Sequence, residues 1–158
     1  MNRKKRLIVA ALAALIAVPL AYAANVHFKK GSPTFTDQGT TLRACFSLAG
    51  LGNGDVTITL NTSGSATTLC TNPGGNVAPG QNKTPVHPSA QVSIPATEIK
   101  NGNLSTCVTT QPPPTPNPRD AGCPNNNWST SLQDVEFTSA QIIVEQGGNI
   151  VLNQTFTP

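Results

Sequence analysis

Two carboxylates are the first residues whose types and spacing could perform chemistry. Asp134 and Glu136 lie two positions apart, so both side chains would point to the same face of a strand. Such a pair could hydrolyse a glycoside or bind calcium. Solvent-facing charges on an outer sheet face share this spacing and are far commoner, and the sequence lacks an EF-hand loop. We therefore expect neither a catalytic carboxylate pair nor a metal site here.

A serine hydrolase would need a histidine beside a serine. After residue 24 the sequence has two histidines, His27 and His87, and many serines, but no G-x-S-x-G nucleophile elbow. His87 precedes a proline in a loop-like stretch, which favours a solvated side chain. The G-x-G-x-G spacing at residues 50–54 differs from the G-x-G-x-x-G of a dinucleotide fold. We predict no catalytic residue, no cofactor and no enzymatic activity.

One group of residues is suited to binding. Trp128 directly follows Asn126 and Asn127, and an indole beside amides can hold a sugar by stacking and hydrogen bonding. A tryptophan packed against the edge of the fold is the commoner arrangement, because Trp is highly buried on average. Trp128, Asn126 and Asn127 are therefore the candidate ligand-binding residues, with simple packing of the indole as the alternative.

Four cysteines are present, and no two of them have C-x-x-C spacing. This arrangement disfavours a structural zinc site and a redox motif, since both use close pairs. An even number of cysteines in an exported chain favours two disulfides, for which three connectivities are possible. The cysteines are Cys45, Cys70, Cys107 and Cys123.

The first residues have the pattern of a secretory signal peptide. Residues 2–6 are mostly basic, residues 7–20 are apolar, and A-Y-A at residues 21–23 is an A-x-A cleavage site. We predict a signal peptide over residues 1–23, with a retained anchor as the alternative. A single domain over residues 24–158 would remain. The expected location is secreted, either periplasmic or extracellular.

Cleavage after residue 23 also changes the charge of the protein. Four of the ten basic residues leave with the leader, so the formal charge becomes 6 − 7 = −1. A chain without net positive charge has no general attraction to nucleic acid or anionic lipid. Charged residues make up only 11% of the sequence, which argues against a coiled coil. We expect no nucleic-acid partner and no membrane span after signal cleavage.

After residue 24, apolar and polar residues alternate in short runs that are rich in Val, Ile and Thr. A period of two predicts half-buried β-strands, and no stretch has a helical period. We predict an all-β, immunoglobulin-like β-sandwich of seven or eight strands, with a closed barrel as the alternative. The strand runs are residues 26–28, 42–48, 56–60, 92–94, 104–108, 135–137, 140–144 and 150–156.

Turn residues separate these runs. Asn53-Gly54 and Gly147-Gly148-Asn149 each predict a tight hairpin. Residues 71–89 and 111–127 are rich in proline, which cannot donate a ladder hydrogen bond, so both stretches are predicted to be surface loops.

Two of the cysteines lie at the edges of the predicted loops, and the other two lie within predicted strands. Cys70 and Cys123 lie at the edges of the two loops, so a bridge between them would join the loops and leave Cys45 with Cys107. If the alternation is unbroken, Cys45 and Cys107 both point away from the apolar core. Their bridge would then join neighbouring strands on an outer face of the sandwich.

Several short motifs stand out in the sequence: A-G-L-G at residues 49–52, C-T-N-P-G-G at residues 70–75, N-K at residues 82–83 and C-P at residues 123–124. In these motifs the chain resembles a group of small secreted microbial β-rich proteins with no assigned activity. The resemblance implies an exported β domain and a Cys70–Cys123 bridge. Cys45 and Cys107 lie outside the shared pattern, and the resemblance implies no catalytic residue.

These observations predict an exported, non-enzymatic β-sandwich with a role in surface interaction, adhesion or extracellular structure. The alternative is a carbohydrate-binding module that uses Trp128 and the asparagine-rich loop. The expected partner is an extracellular glycan or protein surface, or a second copy that pairs with an exposed edge strand such as residues 26–30.

Overall fold

A computed structural model describes residues 25–158, so the predicted signal peptide at residues 1–23 lies outside the described residues. The described part of the chain forms two antiparallel sheets, which confirms the all-β sandwich. None of its residues form a helix with the length and apolar character needed to cross a bilayer. The elements are β1 His27–Phe28, β2 Thr34–Asp37, β3 Leu42–Ala49, β4 Val56–Thr71, β5 Val77–Pro79, β6 Thr84–Val86, β7 Ser89–Ile94, a 3-10 turn Ala96–Glu98, β8 Leu104–Thr109, β9 Ser129–Gln146 and β10 Asn149–Phe156.

The smaller sheet, sheet A, is built around β3. β8 pairs along one edge of β3, and β1 and β2 pair in succession along the other. Every second residue of β3 is buried, as the alternation in the sequence predicts: Leu42, Ala44, Phe46 and Leu48. Residues 26–30 contribute only the two-residue strand β1, so they form a much shorter edge than expected.

The larger sheet, sheet B, is built around β4 and β9. These two strands pair at sixteen positions, from Val56 opposite Gln146 to Thr71 opposite Ser129. β10 pairs with the other edge of β9, while β7, β6 and β5 follow one another along the other edge of β4. The inner faces of both sheets contribute to one main core, and a smaller cluster of Ala66, Val86 and Val135 extends beneath the second half of β4.

β9 is a single strand where the sequence predicts two separate runs. The ladder with β4 skips Thr138 and Gln133, which are therefore the extra residues of two β-bulges. Each bulge shifts the alternation by one position, so Val135 and Ala140 both face inward although their numbers differ in parity. The change of apolar phase in the sequence marks a bulge and not a turn.

The two predicted hairpins have different outcomes. The Gly147-Gly148 hairpin is confirmed, because it joins the antiparallel strands β9 and β10 and both glycines have positive φ, at 61° and 77°. The Asn53-Gly54 hairpin is wrong, since β3 and β4 belong to different sheets. The connection instead crosses between sheets, and the buried Gln146 side chain hydrogen-bonds to the backbone of Gly52 and Gly54.

Of the two proline-rich stretches that were predicted to be loops, only residues 111–127 lack strands. Residues 71–89 contain β5 and β6 and so are not only a loop, although both strands lie at the sheet edge, where proline is tolerated. Residues 111–127 contain no strand. Thr110, Pro113 and Pro116 are buried and the residues between them are exposed, a repeat of three that matches polyproline II. We call residues 110–116 the proline strap.

Both disulfides are present, Cys45–Cys107 and Cys70–Cys123. Cys45 lies directly opposite Cys107 on the neighbouring strands β3 and β8, and Cys107 is exposed, so this bridge lies on the outer face of sheet A. Cys70 is fully buried on the inner face of sheet B. Its bridge to Cys123 ties β4 to the segment that follows the proline strap.

Candidate functional site

The outer face of sheet B carries a continuous row of uncharged polar side chains. Both bulges fall in β9, so the alternation of β4 is unbroken and every second residue points outward over about 50 Å. All eight outward residues are half-buried, and seven carry a hydroxyl or an amide. This set, the polar row, is Thr57, Thr59, Asn61, Ser63, Ser65, Thr67, Leu69 and Thr71.

Side-chain hydrogen bonds connect the polar row to the strands beside it. Gln91 Nε2 on β7 donates to Thr59 Oγ1 at 3.1 Å. Asn61 Nδ2 donates to Gln141 Oε1 on β9 at 3.4 Å, and Gln141 Nε2 donates to Asn153 Oδ1 on β10 at 3.0 Å. The amides of three neighbouring strands are thus held in fixed orientations. The face is ordered before any partner arrives, which lowers the entropy cost of binding.

A serine and a histidine meet on the same face. Ser63 Oγ lies 3.1 Å from His87 Nδ1, where His87 is exposed and Ser63 is half-buried. A catalytic triad also needs a carboxylate that orients the histidine. No carboxylate in residues 25–158 hydrogen-bonds to His87, and Glu136, on the strand at the other edge of β4, is bound to Lys83. The Ser63–His87 contact is therefore a surface hydrogen bond of the polar row.

Asp134 and Glu136 face solvent, as the sequence predicts. Asp134 and Glu136 are exposed on β9 and lie opposite Thr67 and Ser65 of the polar row. The hydrogen bond from Lys83, together with its charge, lowers the pKa of Glu136, and the same contact raises the pKa of Lys83. Both groups are fully exposed, so solvent screens the pair. Residues 25–158 bring together no group of three or more His, Cys, Asp or Glu side chains that could hold a metal ion.

The Trp128 region forms a turn that leads into β9. Asn127 N donates to Asn125 Oδ1 at 2.9 Å, and Trp128 N donates to Asn125 O at 3.3 Å. Trp128 is half-buried, whereas Asn126 and Asn127 are exposed and their side-chain amides make no hydrogen bond to the described residues. The three candidate residues therefore lie together at the end of sheet B, next to the polar row and not within it.

A groove lies between the proline strap and the edge formed by β6 and β7. It has a volume of about 650 Å³, and its walls include Pro85, His87, Pro88, Pro112 and Pro114. Gln111 N donates to Ser89 O at 3.1 Å and thereby fixes the strap to β7. The sequence marks the strap as proline-rich, but its packing along the sheet edge depends on contacts that no local pattern encodes. The polar row was likewise visible only as alternating Thr and Ser over residues 57–71.

The fold and this face define the chain as an all-β, two-sheet sandwich with two disulfides and a row of outward hydroxyl and amide groups along β4. No protein-family profile matches the chain, and no curated protein matches it. Among solved structures it is similar to beta-glucosidase 3B from Thermotoga neapolitana, which was solved in complex with alpha-D-glucose. The identity is 15% and the TM-score 0.27, over 84% of this chain and 16% of that enzyme. Because this chain spans so little of the enzyme and the score is so low, the likeness carries no functional argument.

Proposed function

We propose that the protein is an exported, non-enzymatic β-sandwich that attaches to an extracellular surface through the polar row. The observation that carries this proposal is the series of outward hydroxyl and amide groups along β4, which seven of the eight outward residues supply. The leader-like residues 1–23 and the two disulfides support export to an oxidising compartment. The two antiparallel sheets support assignment of the sandwich to the immunoglobulin-like class.

The chemistry of the polar row favours a partner that is extended, uncharged and rich in hydroxyl groups. Each hydroxyl or amide can both donate and accept a hydrogen bond, and outward residues recur about every 7 Å along a strand. Uncharged groups cost less to remove from water than carboxylates or ammonium groups do. A polysaccharide at a cell surface has repeated hydroxyl groups and fits these requirements.

A charged substitution in the polar row tests this proposal. Thr59→Arg would place a large cation within the row, two residues from its first member, and Ser105→Arg would place the same cation on the outer face of sheet A. We expect the exported wild type and Ser105→Arg to be retained equally on insoluble extracellular polysaccharides or cell envelopes. Thr59→Arg should bind at least about tenfold more weakly, a loss of about 1.4 kcal/mol. Equal retention of the two variants, or no retention of the wild type, would contradict the proposal.

The Trp128 turn supports a second candidate, a carbohydrate-binding module for shorter sugars. The supporting observation is that the exposed amides of Asn126 and Asn127 have no hydrogen-bond partner in residues 25–158 and lie beside a partly exposed indole. Trp128 is the only tryptophan in the sequence, so its fluorescence reports directly on this site. Titration with soluble oligosaccharides should shift the emission of the wild type and of Asn126→Ala to different degrees. Unchanged emission with every sugar would eliminate this candidate.

Self-association, the other expected kind of partner, would use β10 in preference to residues 26–30. β10 has eight residues without a charged side chain or a proline, and no described strand pairs with its outer edge. Sedimentation velocity over a range of concentrations would detect such pairing, and a monomer at the highest concentration would argue against it.

A further inference from the structure

The two disulfides lie in opposite environments. Cys70 is fully buried, so an external thiol cannot reach its sulfur without opening the fold. Cys107 is exposed, and its bridge to Cys45 borders a shallow groove of about 390 Å³ on the outer face of sheet A. Disulfide exchange depends on access to the sulfur that is attacked. Of the four cysteines, Cys107 is exposed, Cys45 and Cys123 are half-buried, and Cys70 is buried, so Cys107 is the sulfur most open to attack in the native state.

Opening the exposed bridge would leave the surrounding structure in place. β3 and β8 pair without a break at six positions, from Arg43 opposite Thr109 to Leu48 opposite Leu104. Ser47 and Ser105, one pair along from the bridge on the same face, are also joined by a hydrogen bond of 2.7 Å. Backbone pairing and this contact hold the two strands together without the sulfur link. Cys45–Cys107 is therefore one of several links between β3 and β8.

A positive charge lies next to the same bridge. Arg43 is exposed and precedes Cys45 by two positions on an unbroken strand, so both side chains project from the outer face. A neighbouring guanidinium favours the thiolate form of the cysteine that is released, and a better leaving thiolate speeds exchange. Cys45, the cysteine that must carry negative charge during exchange, therefore lies two positions from a cation on the same strand face.

We propose that Cys45–Cys107 is a thiol-exchange site at which an external thiol becomes attached to Cys107. The thiolate of the incoming molecule attacks Cys107 Sγ and forms a mixed disulfide. The Cys45–Cys107 bond breaks, and Cys45 leaves as a thiolate that then takes up a proton. One disulfide and one thiol are consumed and one of each is formed, so no separate oxidant is needed. The ligand class is a small thiol, and carboxylates on that thiol would be attracted by Arg43.

Exposure of the exported protein to glutathione tests this inference. The reaction is followed over time, stopped by alkylation of free thiols, and mapped by peptide mass spectrometry. We expect a glutathione adduct on Cys107 and alkylation of Cys45, at least about tenfold faster than any change at Cys70 or Cys123, with an unchanged far-ultraviolet spectrum. Opening of Cys70–Cys123 at the same rate, an adduct confined to Cys45, or no adduct on the folded protein would overturn the proposal.

Two substitutions separate the role of the cation from simple accessibility. Arg43→Gln removes the charge and keeps a polar side chain of similar reach, while Arg43→Lys keeps the charge. We expect exchange at Cys107 to slow several-fold in Arg43→Gln and to stay near the wild-type rate in Arg43→Lys. Exchange at Cys70–Cys123 in denaturant, where neither bridge is protected, should be the same in all three proteins. Equal slowing in both variants would exclude an electrostatic contribution from Arg43.

Discussion

The ring of Phe28 meets the ring of Phe156 edge to face, with centroids 5.5 Å apart. This contact joins β1 of sheet A to β10 of sheet B. Phe156 also lies 5.7 Å from Phe35 on β2, and Phe28 lies 5.6 Å from Phe46 on β3. Four aromatic rings therefore close one side of the sandwich between the edges of the two sheets. Aromatic pairs in this geometry stabilise a fold beyond the area that they bury.

We expect Phe156→Ala to lower the free energy of unfolding by about 2–3 kcal/mol, because it opens this side of a partly buried cluster. A double-mutant cycle with Phe28→Ala should give a coupling energy of about 0.5–1.5 kcal/mol in urea unfolding. Phe137 packs against both clusters but makes no ring-to-ring contact with Phe28 or Phe156 in residues 25–158, so it serves as the control. Phe28→Ala and Phe137→Ala should be additive, and coupling of equal size in both cycles would contradict the assignment.

Gln146 holds the connection that crosses between the sheets. Its side chain accepts from Gly52 N at 2.7 Å and donates to Gly52 O at 3.1 Å and to Gly54 O at 2.6 Å. Gln146→Leu would leave these backbone groups without partners at a nearly buried position, which should cost about 2–4 kcal/mol. Gln133→Leu, at an exposed bulge position, should change stability by less than about 0.5 kcal/mol. Chemical denaturation of the two variants under one set of conditions makes the comparison.

Gly64 is required where β4 passes close to β9. A Cβ at this position would lie 2.5 Å from Glu136 O and 3.0 Å from a methyl group of Val135. Gly64→Ala should therefore destabilise the protein by about 1–3 kcal/mol, since the backbone must shift to relieve the contact. Gly54 is the control, because its Cβ would approach no atom closer than 3.7 Å and its φ is not positive. Gly54→Ala should be neutral or stabilise by up to about 1 kcal/mol.

For two buried threonines on the inner face of β4, we predict that replacement by valine changes the stability in opposite directions. Thr68 Oγ1 has no hydrogen-bond partner in residues 25–158, whereas Thr62 Oγ1 donates to Pro88 O at 2.7 Å. Replacement by valine keeps the shape and removes the hydroxyl. Thr68→Val should raise the melting temperature through a gain of about 1 kcal/mol, and Thr62→Val should lower it through a loss of about 1–2 kcal/mol. Shifts of the same sign would contradict this prediction.

The alternation of apolar residues was sufficient to predict the fold class and most of the strands. Leu42 to Leu48 and Val56 to Leu60 appear in the structure with the predicted faces inward, and Cys45 and Cys107 lie on the outer face as the same alternation requires. Which face of a strand is buried depends only on the local alternation of apolar and polar residues. The buried face is therefore the same whichever strands pair with one another.

Features that depend on strand pairing could not be predicted in this way. β4 continues for eleven residues past Leu60 because β5, β6 and β9 supply partners for a stretch of Thr, Ser and Gly that lacks strong apolar alternation. Asn53-Gly54 has the composition of a hairpin, but the contacts with Gln146, 94 residues from Gly52, direct it between the sheets. The polar row could not be predicted either, because it extends over the full length of β4 and depends on the strands that pair with β4.

The long ladder between β4 and β9 determines the order in which the chain can reach its native state. Its least separated partners, Thr71 and Ser129, are 58 residues apart, so a large loop must close before the first pair forms. The β9–β10 hairpin needs only the two-residue turn at Gly147-Gly148 and can form on its own much earlier. We expect the docking of this hairpin onto β4 to be the rate-limiting event. A domain whose central contact joins such distant segments folds slowly for its size.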